Sequence, residues 1–241
     1  MKVVILAGGL GIRLSEYTHS IPKPMIKIKG MPMIFYIMKH YSNYGFKEFY
    51  IALGYKGEII KKFFKKNNFG WKIYLIDTGK KTMTGGRIKR LYNYLKDETF
   101  LLTYGDGLSN VNIKKLIDYH FIKKKLITLT AVRPPARFGA IKLKGEYVKY
   151  FKEKSKLDEG WINGGFFVVN PKFLKYIKND KTYLEREPLQ NVCKRRQLVA
   201  YKHYGFWQCV DTKRDLDIIK EKYKKIWKKI VDLQSEKRKI K

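Results

Sequence analysis

A glycine-rich turn followed by two basic residues is the part of this chain best equipped for chemistry. An apolar run that begins at Val3 ends in the glycine-rich segment 8–11, and Arg13 and Lys23 follow, the lysine held between two prolines. Glycines leave backbone N–H groups open to phosphate oxygens, while a guanidinium or an ammonium adds positive charge. The pattern predicts a buried strand that ends in a phosphate-binding loop, and it makes a nucleotide the first candidate ligand.

This loop is neither of the two commonest nucleotide-binding motifs. A P-loop would end in Gly-Lys followed by Ser or Thr, and a dinucleotide fingerprint would carry a third glycine three residues after Gly11. The chain has neither feature. Taken alone, the segment could also be an ordinary strand and turn in which Arg13 and Lys23 are solvated.

Two aspartates could supply a metal site. Asp106 lies between two glycines directly after the apolar run 99–104, and Asp211 directly precedes Thr212. Mg²⁺ is commonly held by one or two carboxylates together with substrate phosphates, so this pair is a candidate Mg²⁺ site. The alternatives are a turn aspartate at position 106 and a helix N-cap at position 211.

Apolar runs alternate with helix-like segments through the first half of the chain. Strands are predicted over 2–6, 48–53, 71–77 and 99–104, and helices over 31–44, 57–65 and 85–95. This order predicts an α/β fold with a Rossmann-like, mostly parallel mixed sheet flanked by helices. Ligands of such sheets bind at the carboxyl ends of strands, so the loops after Leu6, Leu53 and Tyr104 should form the site.

The second half has a different pattern. Shorter apolar runs over 126–132, 140–143, 147–153 and 166–169 predict a small antiparallel lobe, and the spacing over 215–237 predicts an amphipathic helix. The chain shows neither a linker rich in Pro, Gly or Ser nor an internal repeat. We therefore expect one domain over residues 1–241.

Short motifs along almost the whole chain resemble the sugar-1-phosphate nucleotidylyltransferases, also called NDP-sugar pyrophosphorylases. The first is Leu6–Leu14 together with Pro22–Met25. The others follow in order: Gly54–Gly57, Asp77–Gly79, Met83–Arg87, Thr103–Gly107, Arg137–Ala140, Ile162–Phe167, Glu187–Leu189, Gly205–Gln208 and Asp211–Thr212. Many short motifs in the right order are far more specific than any one, and they imply the nucleotide-diphospho-sugar transferase type of fold.

The resemblance implies that a nucleotidyl group is transferred from a nucleoside triphosphate to a sugar 1-phosphate, with release of pyrophosphate. The substrates that it implies are CTP and glucose 1-phosphate. It implies Mg²⁺ at Asp106 and Asp211, catalytic roles for Arg13, Lys23 and Asp106, and a part in making surface-polysaccharide precursors. Nucleotide contacts are expected from Leu6, Ala7, Gly8, Gly9, Gly11, Arg13, Lys23, Thr84, Gly85, Arg87, Tyr104, Gly105 and Asp106. Sugar-phosphate contacts are expected from Gly139, Glu153, Lys154, Asn163 and Gly164.

These roles divide the chain into three parts: a nucleotide-binding half at 1–125, a sugar-phosphate-binding half at 126–214 and a C-terminal helix at 215–241. The chain also departs from the family. Ile12 stands where Thr is usual, Ser155 replaces a usual Pro, and the segment between Phe64 and Trp71 is short. Another nucleotide, or another phosphorylated substrate such as heptose 1-phosphate, therefore stays open.

The net charge of +32, from 53 Lys and Arg against 21 Asp and Glu, allows two interpretations. One is a basic nucleic-acid-binding protein on this scaffold. The other is compositional drift, because the lysines are spread along the chain and no nucleic-acid motif accompanies them. We favour the second and do not expect nucleic acid as a partner.

The remaining expectations concern location and assembly. The chain contains two cysteines, Cys193 and Cys209, which favours a reducing compartment and hence the cytoplasm. No apolar run reaches the length that spans a membrane, so no membrane partner is expected. A homo-oligomer is expected.

Overall fold

The computed structural model describes residues 1–134, 140–152 and 160–221. The strands are β1 Val3–Ala7, β2 Lys27–Ile28, β3 Met31–Pro32, β4 Glu48–Leu53, β5 Lys72–Asp77, β6 Phe100–Tyr104, β7 Gly107–Ser109, β8 Ile127–Val132, β9 Ala140–Lys144, β10 Tyr147–Lys152, β11 Ile162–Val169, β12 Leu198–His203 and β13 Trp207–Cys209. The helices are α1 Ser15–Thr18, α2 Met33–Asn43, α3 Gly57–Lys66, α4 Thr84–Arg90, α5 Tyr92–Leu95, α6 Ile113–Lys123 and α7 Glu187–Lys194. Residues 213–221 are also helical.

One sheet forms the centre of the molecule, with strand order β12-β8-β11-β6-β1-β4-β5. Strand β1 runs parallel to both β4 and β6, β5 is parallel to β4, and β12 is parallel to β8. Strand β11 is antiparallel to both of its neighbours, β6 and β8. The predicted α/β fold with a mostly parallel mixed sheet is confirmed.

The antiparallel lobe is smaller than the sequence suggested. The runs expected at 126–132 and 166–169 belong to β8 and β11, which extend the main sheet. These runs are almost wholly buried, and a strand covered on both faces belongs inside a large sheet. Strands β9 and β10 form a separate antiparallel hairpin, and β7 pairs with the distant β13 in another two-stranded antiparallel sheet.

Two apolar layers cover the sheet, one on each face. Alternate residues of β1 enter different layers: Val3 and Ile5 pack with α2, whereas Val4 and Leu6 pack with α4, α5 and α7. This alternation is the two-residue period of a strand, so both faces of β1 are buried. Every helix in the described part of the chain is too short or too polar to cross a membrane.

Several element boundaries differ from the expectation. The helix expected at 85–95 is split into α4 and α5 at Leu91. Of the helix expected at 215–237, the described part is helical and buries Leu216 and Ile219, and the rest lies outside the described residues. Helices α6 and α7 and strand β12 were not predicted from the sequence.

The carboxyl ends of β1, β4 and β6 lie side by side. Ala7 pairs with Leu53, and Leu6 pairs with Tyr104. The glycine loop after β1 and the Asp106 turn after β6 therefore open at the same edge of the sheet, as predicted for parallel strands.

Candidate active site

A cleft of about 560 Å³ opens at this edge. Of the residues expected to bind nucleotide, those that line it are Leu6, Ala7, Gly8, Gly9, Gly11, Lys23, Thr84, Arg87, Tyr104, Gly105 and Asp106. Asp211 lines it as well, whereas Gly85 is buried behind it, where an added Cβ would lie 2.8 Å from the Thr182 carbonyl oxygen. The side chain of Arg13 and residues Gly139, Glu153 and Lys154 lie outside what the structure describes.

Lys23 joins the two aspartates. Its Nζ donates to Asp106 Oδ2 at 2.7 Å and to Asp211 Oδ1 at 2.6 Å. Burial on its own lowers the pKa of Lys23, but the Asp106 carboxylate and the hydrogen bonds to both aspartates outweigh it and hold that pKa above its ordinary value. The ammonium is therefore charged at neutral pH.

The pairing of β7 with β13 brings the aspartates together from distant parts of the chain. Gly107 pairs with Cys209, and the Val210 amide donates to the Asp106 carbonyl oxygen at 3.0 Å. Asp106 directly precedes β7 and Asp211 follows β13 by two residues, so two residues 105 positions apart become neighbours. The three-pair register of this short ladder fixes the spacing of the carboxylates.

The helix that follows is capped by other residues. The Thr212 amide donates to Asp215 Oδ2 at 2.8 Å, and the Asp215 amide donates back to Thr212 Oγ1 at 3.2 Å. This reciprocal pair is a capping box. The alternative of Asp211 as the N-cap is therefore wrong, and its carboxylate faces the cleft.

The same region has the donor set for a divalent cation. Ligand atoms of Asp106, Cys209 and Asp211 lie within 4.8 Å of one another. Burial, followed by the nearby Asp106 charge, raises the pKa of the Cys209 thiol, which therefore stays protonated. Two carboxylates beside a neutral thiol suit a hard, oxygen-seeking ion such as Mg²⁺ better than a thiophilic one.

Arg87 is buried beneath the glycine loop. Its guanidinium donates to the carbonyl oxygens of Gly8 at 2.9 Å, Leu53 at 2.9 Å and Gly79 at 2.8 Å, and to Thr78 Oγ1 at 2.7 Å. Burial lowers the pKa of Arg87, yet a guanidinium stays charged in proteins. The sequence assigned this residue to the nucleotide, whereas these hydrogen bonds tie the loop to the ends of β4 and β5.

Two glycines make room for that guanidinium. An added Cβ on Gly8 would lie 2.2 Å from Arg87 Nη1, and one on Gly54 would lie 2.5 Å from it. Both contacts are shorter than real Cβ atoms tolerate, and the Gly54 Cβ would also lie 2.6 Å from the Gly8 carbonyl oxygen. The spacing of these glycines follows from packing around Arg87 as well as from phosphate access.

A hydrogen-bond chain crosses the cleft between α4 and β6. Glu185 accepts from Thr84 Oγ1 and from the Tyr104 hydroxyl, each at 2.7 Å. The Asn163 side-chain amide lies 3.5 Å from the same hydroxyl. This chain connects two expected nucleotide contacts to an expected sugar-side residue, while Gly164 lies behind it and accepts from Trp207 Nε1 at 2.7 Å.

Sequence reasoning missed four residues here. Lys80, Thr82 and Tyr183 line the cleft, and Glu185 orients two of its residues. Glu185 lies two positions before the Glu187–Leu189 motif, which was the available signal for it. Lys80 and Tyr183 follow no pattern that marks a site.

The fold and the cleft are those of a nucleotide-transferring enzyme, and the chain belongs to the nucleotidyl transferase family, whose model matches residues 2–225. It is 46% identical over 254 aligned residues to the glucose-1-phosphate cytidylyltransferase of Salmonella typhimurium, covering 95% of this chain and 99% of the relative. It is 31% identical over 209 residues to the D-glycero-alpha-D-manno-heptose 1-phosphate guanylyltransferase of Aneurinibacillus thermoaerophilus, covering 86% and 89%.

A solved structure supports the fold over most of the chain. The crystal structure of HddC from Yersinia pseudotuberculosis superimposes with a TM-score of 0.75 at 26% identity, covering 92% of this chain and 99% of that one. The 254-residue Salmonella alignment is longer than this 241-residue chain, so that relative has residues that are missing here. Helix α3 and strand β5 are joined by residues 67–71 alone, where the sequence predicted a shortened segment.

Proposed function

We propose that this protein transfers the cytidylyl group of CTP to glucose 1-phosphate and releases pyrophosphate. The observation that carries the proposal is the convergence of the glycine loop, Lys23 and the Asp106–Asp211 pair in one cleft. The similarity to a glucose-1-phosphate cytidylyltransferase over nearly the full chain supports this pair of substrates.

The reaction is an in-line displacement at phosphorus. An oxygen of the sugar phosphate attacks the α-phosphorus of CTP, and the bond to the β-phosphate oxygen breaks with its electron pair leaving on pyrophosphate. The attacking oxygen is already an anion, so no side chain has to remove a proton. The residues of the cleft therefore act by positioning the two anions and by stabilising charge.

The two ends of the cleft have separate roles in this scheme. Backbone N–H groups of residues 8–11 and the Arg13 side chain hold the β- and γ-phosphates, and Lys23 stabilises charge on the transferred phosphate. Asp106 and Asp211 hold Mg²⁺, which when bound neutralises phosphate charge and draws the two substrates together. Thr84 at the start of α4 is on the base and ribose side, and Gly85, buried behind the cleft, lets the helix start pack closely there.

Strand β11 belongs to the sugar side of the proposed site. Asn163 and Gly164 on β11 lie at the far side of Tyr104, which fits contacts to the sugar phosphate. Gly139, Glu153 and Lys154 belong to the same proposal. We further propose that the protein is a cytoplasmic homo-oligomer of single-domain subunits. It would act in the synthesis of lipopolysaccharide O-antigen or capsule precursors.

A substrate panel tests the proposal. Pyrophosphate release is measured with each of CTP, UTP, GTP, ATP and dTTP against glucose 1-phosphate, mannose 1-phosphate and heptose 1-phosphate, with Mg²⁺. CTP with glucose 1-phosphate should give the highest kcat/KM. A preference for GTP with heptose 1-phosphate would replace the proposed substrates, and tight RNA binding at physiological salt without pyrophosphate release would replace the function.

The acidic pair is tested separately. Asp106→Asn should leave folding intact and lower kcat by at least about a hundredfold, because a metal-binding carboxylate becomes neutral. Asp118→Asn is the matched control, since Asp118 is exposed on α6 and away from the cleft. Near-normal turnover of Asp106→Asn with Mg²⁺ would overturn the metal assignment.

A further inference from the structure

Lys23 occupies the position between two carboxylates that a divalent cation would take. Its ammonium is 2.7 Å from an Asp106 oxygen and 2.6 Å from an Asp211 oxygen, and all three side chains are largely buried. An ammonium at such distances neutralises charge that would attract a metal ion, and two cations held between the same two carboxylates repel each other. The pair therefore has two candidate cations, one of which belongs to the chain itself.

The backbone at Lys23 is fixed, so an exchange must be made by the side chain. Pro22 and Pro24 flank the lysine in a 3₁₀ turn, where the Met25 amide donates to the Pro22 carbonyl oxygen at 2.8 Å and the Ile26 amide to that of Lys23 at 3.1 Å. Proline locks φ and removes backbone freedom. The four-carbon stem of lysine is flexible and can swing its charge without moving the turn.

The glycine loop lies beside the base of that stem. An added Cβ on Gly11 would lie 3.2 Å from Lys23 Cβ, so the stem begins in contact with the loop. An ammonium released from the carboxylates can therefore turn toward the phosphates that the loop is proposed to hold. The same lysine would then serve the carboxylates before metal binds and the nucleotide afterwards.

We propose that Lys23 is a built-in competitor of the divalent cation, which neutralises Asp106 and Asp211 until the metal displaces its ammonium toward the glycine loop. This inference rests on the proposed metal site. Its consequence is that the protein alone binds metal weakly. Metal enters best together with a nucleotide, whose phosphates give the displaced ammonium a new partner.

The test measures metal binding without nucleotide or sugar phosphate. Mn²⁺ is titrated into EDTA-treated protein, and free Mn²⁺ is followed by electron paramagnetic resonance. Lys23→Met should bind Mn²⁺ at least about tenfold more tightly than the unsubstituted protein, because the competing charge is gone while most of the side-chain length is kept. Equal affinities would overturn the proposal.

Lys80→Met is the matched control. Lys80 lines the same cleft, and no ion pair connects it with another described residue. Removing its charge should change Mn²⁺ affinity by less than about twofold. An equal gain in both variants would assign the effect to the general field of the cleft and overturn direct competition.

A second measurement uses the unsubstituted protein, in case Lys23→Met does not fold. Surface acetylation followed by peptide mass spectrometry reports the reactivity of each lysine amine. Saturating Mn²⁺ should raise the acetylation rate of Lys23 severalfold and leave that of Lys80 unchanged. A Lys23 rate that does not respond to Mn²⁺ would overturn the proposal. Since neither measurement contains a substrate, the substrate panel can fail while this inference stands.

Discussion

Arg87→Met removes the guanidinium beneath the glycine loop and keeps most of the side-chain volume. The Gly79 carbonyl oxygen would lose its only hydrogen-bond donor within the described part of the chain. The carbonyl oxygens of Gly8 and Leu53 would each keep a backbone amide donor. Gly79 is partly exposed, so the cost of a buried orphaned acceptor does not apply, and each of the four lost hydrogen bonds is taken at about 0.5–1 kcal/mol. We expect the free energy of unfolding to fall by about 2–4 kcal/mol.

The same substitution separates two roles for Arg87. If it supports the loop, stability and nucleotide binding fall together, because the loop loses its connection to β4 and β5. If instead it contacts the nucleotide directly, as the family motif implied, KM for the nucleotide rises while the free energy of unfolding hardly changes. Urea unfolding followed by tryptophan fluorescence and the KM for CTP give the two readouts.

Arg90→Met is the control for Arg87→Met. Arg90 lies on the same helix, but it is exposed and paired with Asp180 at 2.6 Å. An exposed ion pair contributes about 0–1 kcal/mol, so the control should unfold almost like the unsubstituted protein. A loss below about 1 kcal/mol in Arg87→Met would refute the supporting role inferred from its hydrogen bonds.

Two further predictions concern packing and pH. Gly54→Ala places a Cβ 2.6 Å from the Gly8 carbonyl oxygen, so urea unfolding should show a loss of about 1–3 kcal/mol in the free energy of unfolding. Gly9→Ala is the control, because its Cβ meets nothing within 4 Å and the free energy of unfolding should hardly change. Equal losses in the two variants would contradict the packing argument. Burial lowers the pKa of His40 to about 4. Between pH 6.5 and 4 this histidine is therefore protonated in the unfolded chain but neutral in the folded one. The free energy of unfolding should fall as the pH falls through this range, by up to about 1.4 kcal/mol per pH unit. His40→Gln should flatten that fall and the exposed His19→Gln should not; unchanged slopes in both variants would count against His40 as the source.

The first half of the fold could be predicted because its signals are local. An apolar run bounded by polar residues gave the strand Glu48–Leu53 with the bounds that the structure has. The glycines of 8–11 and 105–107 marked strand ends, and parallel pairing then placed both loops at one edge. The helix predicted from residue 85 likewise begins at Thr84 in the structure.

The second half depends on pairings that no local pattern records. Strand β11 lies antiparallel between β6 and β8. Its apolar run therefore belongs to the central sheet, although the sequence predicted a separate small lobe. The distance between the two aspartates depends on the register of β7 and β13, which are about a hundred residues apart. Both are consequences of tertiary packing that override local preference.

Arg87 and Lys23, two of the cations that line the cleft, are partnered in opposite ways, and this difference gives the cleft a direction. Arg87 hydrogen-bonds to neutral acceptors among the described residues, and although the Asp77 carboxylate also acts on it, its positive charge beneath the glycine loop is offset less than that of Lys23. Lys23 is matched by Asp106 and Asp211, so the other end of the cleft carries a net negative charge from these three groups. We expect the terminal phosphates of a triphosphate to be drawn to the loop end, and the acidic end to accept an anion only together with a divalent cation. On the proposed function, this asymmetry would orient the nucleotide with its α-phosphate toward the aspartates, as the displacement requires.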